Sequence, residues 1–359
     1  MIIKSVLSSI SVLGFFQPMI DYIFPISEQD QSVMLNEICL ENDVQFSVGS
    51  YHRVSSKVFE KISDALLESG VRFKGAPGGS CFNTARCLSK AGLNVSVGTC
   101  HGLHPLFQKL DRVYKYTFND KYLDSSSLPP SRWICLYDPK TETRTEFATI
   151  GAGKQFSDAF LSFFPSFSKY NLVFLEGFLL PFPSTYRIIE KAQLDGVPIA
   201  LHISGGNFVK DHLKKHLGIL SKISLLSMNL DEATLLSGET NIVDAANFFR
   251  LKMAPGGVVL ITNQSKDFCI YGMNGPSIGS PLDMSTSAIN SIGCGDVAFA
   301  AFILGTNCLN LKPSETANLI SNFGALCMKS KDGDLPRKSI LKMIEEYCPK
   351  RVESYQEAS

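Results

Sequence analysis

Short apolar runs alternating with helical stretches constrain this chain more than any other feature. "NVSVGTC", "NLVFLEGFLL", "VPIALHIS", "ISLLSMN" and "GVVLITN" have the length and apolar content of buried strands. Between them, "SKVFEKISDALLES", "STYRIIEKAQLDG" and "IVDAANFFRLKM" repeat apolar residues at the spacing of amphipathic helices. Strands separated by helices pair in parallel, because the return crossover needs a helix's length of chain. The expected fold class is α/β: a doubly wound, mostly parallel sheet flanked by helices, with ligands at the carboxyl ends of its strands.

Two segments break the rhythm. Residues 21–51 and 116–150 read as strands and turns without helices, and "DPKTE" within "SRWICLYDPKTETRTEFATIG" reads as a hairpin turn. They predict a small β lid apart from the main domain, which takes 1–20, 52–115 and 151–345; residues 346–359 form a polar tail. The opening "MIIKSVLSSISVLGFF" reads as a first buried strand rather than a signal peptide, its apolar stretch being broken by serines.

Charge narrows the function. Lys plus Arg and Asp plus Glu balance at 34 each, so no basic excess points to nucleic acid and no polybasic run to a membrane surface. The ten cysteines include no C-x-x-C pair, which fits a reducing, cytoplasmic setting.

Two glycine-rich stretches stand out. In "GAPGGSCFNTARCLSKAG", Ser80 is the expected N-cap of a helix that Gly92 stops, Gly78 and Gly79 would let a ligand touch bare backbone, and Asn83 adds a polar contact. In "SIGCGDVAFAAFILG", Gly293, Cys294 and Gly295 would aim amides outward at a helix start, where anions are favoured, with Asp296 beside them. Each also reads as an ordinary helix start. "SMNLDEATLLSG" puts Asn229 and Glu232 on one face of a helical turn. "ATIGAGKQFS" lacks the upstream glycine and the Ser/Thr after Lys154 that a P-loop needs.

Together, the Gly-Gly-x-x-x-Asn helix start, the Asn-x-x-Glu motif and the Gly-x-Gly-Asp helix start resemble the ribokinase or PfkB family of small-molecule kinases over nearly the whole chain. "QPMIDYIFPI", "GGSCFN" and "TETRTEFATIGAG" resemble its adenosine-kinase-like branch. That resemblance implies a ribokinase-like fold and ATP- and Mg²⁺-dependent phosphoryl transfer to a primary hydroxyl. It makes Asp296 the base, Gly293, Cys294 and Gly295 the anion cradle, and Arg144 the lid cation. Asp21, Gly78, Gly79 and Asn83 would hold the acceptor, Asn229 and Thr262 the nucleotide, and Glu232 the metal. Phe178 and Leu179 are the candidates to stack on a base. The favoured acceptor is a nucleoside such as adenosine, in purine salvage. A free sugar or a non-catalytic binding role are the alternatives, in a monomer or homodimer. Asn290 stands where the family has Asp, and a neutral amide is a poorer ligand for a monovalent cation.

Overall fold

A computed structural model describes residues 2–102, 121–126, 128–141, 143–156, 159–204, 213, 217–282, 292–330 and 334–347. Asn290 and residues 348–359 of the expected tail lie outside the described residues, whereas 346 and 347 close the helix Arg337–Tyr347 instead of opening that tail.

The strands are β1 (Ser11–Phe15), β2 (Met19–Pro25), β3 (Tyr51–Arg53), β4 (Lys74–Gly78), β5 (Asn94–Gly102), β6 (Lys121–Ser126) and β7 (Ser131–Tyr137). They continue as β8 (Arg144–Thr149), β9 (Leu172–Glu176), β10 (Ile199–His202), β11 (Leu225–Asn229), β12 (Val258–Thr262), β13 (Phe268–Gly272) and β14 (Gly275–Gly279). A nine-stranded sheet runs β14-β13-β12-β11-β10-β9-β1-β5-β6, parallel from β12 to β6, and a five-stranded sheet runs β3-β8-β7-β2-β4. The expected α/β fold with a large parallel sheet and a second, smaller one is what forms.

Period-two alternation divides the large sheet's side chains between two cores. Val12, Leu172, Phe174, Ala200, Leu225 and Leu260 pack with the helices Ser80–Ala91, Cys294–Ile303 and Pro313–Met328. Leu13, Val173, Leu175, Leu201, Leu226 and Val259 pack on the other side with the helices Pro183–Leu194, Leu230–Ser237 and Ile242–Arg250. Gly14 is required where it stands, because a Cβ there would fall 2.3 Å from the Phe174 ring.

The small sheet also has two different faces. Tyr22, Phe24, Ile134, Leu136 and Phe147 pack against the helices Glu28–Leu40 and Ser56–Glu68. The opposite face carries Asp21, Trp133, Cys135, Arg144, Glu146 and Tyr51. Registry across β2, β7, β8 and β3 fixes this, pairing Asp21 with Trp133, Cys135 with Glu146, and Glu146 with Tyr51.

Three local expectations are corrected. Residues 21–51 contain a helix, Glu28–Leu40, capped by Ser27, whose hydroxyl accepts the Asp30 amide at 3.2 Å. Its polar sequence hides the helical period, with Gln31, Leu35 and Cys39 as its buried positions. The first strand is preceded by a helix, Ile2–Ser9, in which the Ser8 and Ser9 hydroxyls donate back to the carbonyls of Ser5 and Val6. Strands β3 and β4 join the small sheet and β6 the large one, so the sheets interleave along the chain differently from the expected boundaries. The expected hairpin holds: β7 and β8 pair antiparallel around the Asp138 turn, whose carboxylate accepts the Lys140 and Glu28 amides.

Candidate active site

The same alternation that builds the core sets the floor of the site. Glu176, His202, Asn229 and Thr262 end β9, β10, β11 and β12, continuing the rows of Phe174, Ala200, Leu225 and Leu260. Glu176 is paired with His202, and Asn229 with Thr262. All four therefore lie at the carboxyl edge, on the side of the Cys294–Ile303 helix.

That helix begins at Gly293, in the left-handed region at φ +82°, with no side-chain cap. The first amides of a helix have no partner within it, and Gly293 has no side chain to cap them. Among the described residues, a Cβ on Gly295 would meet nothing within 4 Å, so space is open beside the helix start. Asp296 lies in the first turn, its side chain only 16% exposed. Its Oδ2 accepts a 2.8 Å hydrogen bond from Asn83, and its carbonyl accepts one from the Thr84 hydroxyl at 3.0 Å. Oδ1 lies 3.8 Å from His202 Nε2, and the His202 ring stacks on Phe299 at 4.8 Å. Burial pushes the Asp296 carboxyl up to about 6, although the Asn83 bond and the Arg86 charge pull it back. Burial likewise lowers His202 to about 4, so the ring is neutral at pH 7.

Asp21 stands across from Asp296, on the inner face of the lid. Burial, then the Asp296 charge, raise its carboxyl to about 7, while the Gly79 amide and Arg86 oppose the shift. Its carboxylate occupies the space over Gly78, where a Cβ would come 1.6 Å from Oδ2. The bare backbone expected to meet a ligand is thus covered at Gly78 by the chain's own acid. The N-cap of the Ser80–Ala91 helix is Gly79, not Ser80. Its φ of +107° suits glycine, and a Cβ would meet the Gln17 carbonyl at 2.8 Å. Gly92 ends the helix in the left-handed region, as expected.

Asn229 and Glu232 form a reciprocal capping box: the Asn229 side chain accepts the Glu232 amide at 2.7 Å, and Glu232 Oε2 accepts the Asn229 amide at 3.0 Å. The motif therefore has a structural role whatever else it does. Mg²⁺ takes one or two carboxylates plus phosphate oxygens and waters. Glu232, a single buried carboxylate in the first turn of the helix Leu230–Ser237, is a donor of that kind. Among the described residues no group of three or more His, Cys, Asp or Glu could hold a metal by itself.

Arg144 is half-buried on the lid's inner face, and its charge, with a Cys327 hydrogen bond acting more strongly, lowers the Cys294 thiol. Arg144 thus stands near enough to the start of the Cys294–Ile303 helix for its charge to act there. Leu179 is fully buried, whereas Phe178 is half-buried with its ring 6.2 Å from that of Tyr51 on the lid edge.

Sequence reasoning missed Glu176, His202 and Arg86. Glu176 is 1% exposed and accepts the amides of Gln17 at 2.5 Å and Cys81 at 3.4 Å, joining the approach to β2 to the second helix start. Burial raises it to about 8. The available signal was an acid and a histidine ending otherwise apolar runs, in "FLEG" and "ALHIS".

No family model matches the sequence, and no curated protein is a significant match to it. Solved structures do resemble it. Adenosine kinase from Schistosoma mansoni in complex with 2-fluoroadenosine aligns with a TM-score of 0.77 at 15% identity, covering 91% of this chain and 98% of that one. A probable sugar kinase from Rhizobium etli CFN 42 gives 0.75 at 15% identity over 94% and 98%. Adenosine kinase from Anopheles gambiae, in complex with P1,P4-di(adenosine-5) tetraphosphate, gives 0.72 at 15% identity over 89% and 93%. The chain shares the ribokinase-like fold of these kinases.

Proposed function

We propose that the chain is an ATP- and Mg²⁺-dependent kinase that moves the γ-phosphate of ATP to a primary hydroxyl of a ribose-containing acceptor, a nucleoside such as adenosine. One observation carries this reading: the Asp296 carboxylate sits in the first turn of an uncapped helix N-terminus, opposite a second buried carboxylate, Asp21. That arrangement supports reading Asp296 as a proton acceptor, the helix start as an anion cradle and Asp21 as a hydroxyl-binding group. The fold, shared with kinases solved with adenosine analogues, supports the choice of reaction.

Each group then has a role. Asp21 accepts hydrogen bonds from the acceptor's hydroxyls, with Gly79 and Asn83 beside it. Asp296, raised to about 6, is largely ionised at pH 7 yet basic enough to take the attacking hydroxyl's proton, a contribution of about 10²–10⁴-fold. The amides of Gly293, Cys294 and Gly295 face the charge that develops on the transferred group. Arg144 adds a positive charge from the lid, and Asn229 and Thr262 line the nucleotide side. Mg²⁺, organised through Glu232, would neutralise phosphate charge. A lid closed over the cleft excludes water, which protects ATP from hydrolysis.

The test is ADP release from ATP and Mg²⁺ with adenosine, ribose and fructose offered separately. The proposal expects turnover with adenosine. Turnover with a free sugar alone would move the acceptor to the sugar class, and a folded protein inert with all three would remove the kinase reading.

A further inference from the structure

The lid's inner face bears a second acid that the proposed phosphoryl transfer does not use. Glu146 stands on β8, on the same face as Asp21, and pairs in register with Cys135 on β7 and Tyr51 on β3. It is partly exposed. Burial holds its carboxyl above the usual carboxylate range, while the Arg144 charge and a hydrogen bond from the Trp133 indole pull it down.

The simple account is that Glu146 serves the Trp133 N–H. That bond takes one of about four acceptor positions on a carboxylate. A carboxylate withdrawn from water for one neutral donor is costly, and a neutral acceptor would serve the indole as well. The neighbours of Glu146 define a particular place. Tyr51, the neighbour of Glu146 on β3, lies against Phe178, a half-buried aromatic on the large domain. A carboxylate beside an aromatic pair is suited to a flat ring with a hydrogen-bond donor on its edge.

Distance limits what such a ring can belong to. Asp21 is on β2 and Glu146 two strands away on β8, with Tyr51 one strand further. Asp21 is level with Trp133 and Ala148, two residues along the strand from Glu146, so at about 4.8 Å per strand and ~3.4 Å per residue Glu146 lies ~12 Å and Tyr51 ~16 Å from Asp21. A free pentose gripped at Asp21 stops short of Glu146, whereas a sugar with a base attached covers the span.

Resting on the kinase reading above, we infer that Glu146, beside Tyr51 and Phe178, accepts a hydrogen bond from an exocyclic amino group on the acceptor's base, so that the lid selects aminated nucleosides. The two acids then read the acceptor at its two ends, hydroxyls at Asp21 and an N–H at Glu146.

Calorimetric titration tests this without requiring turnover. Adenosine and purine riboside, which is adenosine lacking the 6-amino group, would be titrated into the wild type, Glu146→Gln and Glu146→Leu, with ribose as a third probe. A hydrogen bond to a charged group predicts that the wild type binds adenosine about tenfold or more tightly than purine riboside. Glu146→Leu should bring the two within about twofold, and Glu146→Gln, which keeps a carbonyl acceptor, should fall between. Equal binding of the two nucleosides by wild type overturns the inference. So does a preference that survives in a folded Glu146→Leu, or binding of ribose in preference to both. Selective binding with no ADP release would uphold Glu146 and remove the kinase reading, so the two fail separately.

Discussion

Gly78→Ala gives a quantitative test of how the acceptor is held. The added methyl would lie 1.6 Å from Asp21 Oδ2 and 2.3 Å from its Cγ. Normal contact between heavy atoms needs roughly 3.5 Å or more, so the carboxylate must swing by about 2 Å. It is the tip of a side chain, so the fold can absorb the change. Overpacking of this kind costs about 1–3 kcal/mol, which lowers Tm by only a few degrees in a chain of this size. The loss of function should be larger. At pH 8, where Asp21, raised to about 7, is ionised, two hydrogen bonds from substrate hydroxyls to it are worth at least about 3 kcal/mol together, so the acceptor KM should rise on the order of 100-fold. The KM for ATP, bound at the cradle, should stay within about twofold. Steady-state kinetics with each substrate varied in turn makes the measurement, and a thermal melt checks the fold. A folded Gly78→Ala protein with wild-type acceptor KM would refute the claim that Asp21 holds the acceptor.

Other predictions follow from the titrating groups and the cradle. Asn83→Ala removes the bond that pulls Asp296 down from its raised value, so the acid limb of the pH–rate profile should move up by about one unit from its position near 6. Asp21 and Glu176, raised to about 7 and about 8, favour the folded state while protonated, so their contribution is lost as pH rises through those values. His202, lowered to about 4, acts oppositely but only below about 6.5. Denaturant midpoints of the ligand-free protein should therefore fall from pH 6.5 to pH 8, and less steeply in Asp21→Asn. Cys294→Ala keeps the cradle's amides and should leave kcat within about threefold, whereas Gly295→Val puts bulk into open space at the cradle and should cost about 10²-fold or more.

The parallel core was legible because its strands are buried on both faces, and Val12 with Leu13 or Leu172 with Val173 leaves no polar break to misread. The Glu28–Leu40 helix was not legible, since Gln31 is buried through a hydrogen bond to the Ile26 carbonyl and therefore looks polar in sequence. The membership of β3 and β4 in the lid depends on pairing with β8 and β2, partners distant in the chain, which local patterning does not encode. At the site, Asp296 and the two glycine-rich helix starts were visible because glycine marks backbone that something approaches closely, here Asp21 at Gly78 and the Gln17 carbonyl at Gly79, and a lone acid before an apolar run is conspicuous. Glu176 and His202 were hidden for the opposite reason. Each is a single polar residue ending an apolar strand, and its meaning appears only when adjacent strand ends are aligned.

The most direct measurement is Asp296→Asn compared with wild type in ADP release with adenosine, alongside calorimetric binding of ATP and of adenosine to both proteins. The amide keeps the shape of the side chain but not its basicity. The account predicts a loss of about 10²–10⁴-fold in kcat with both affinities within a few-fold of wild type. Retention of turnover by Asp296→Asn, or loss of adenosine binding in step with turnover, would contradict the assignment of Asp296 as the proton acceptor.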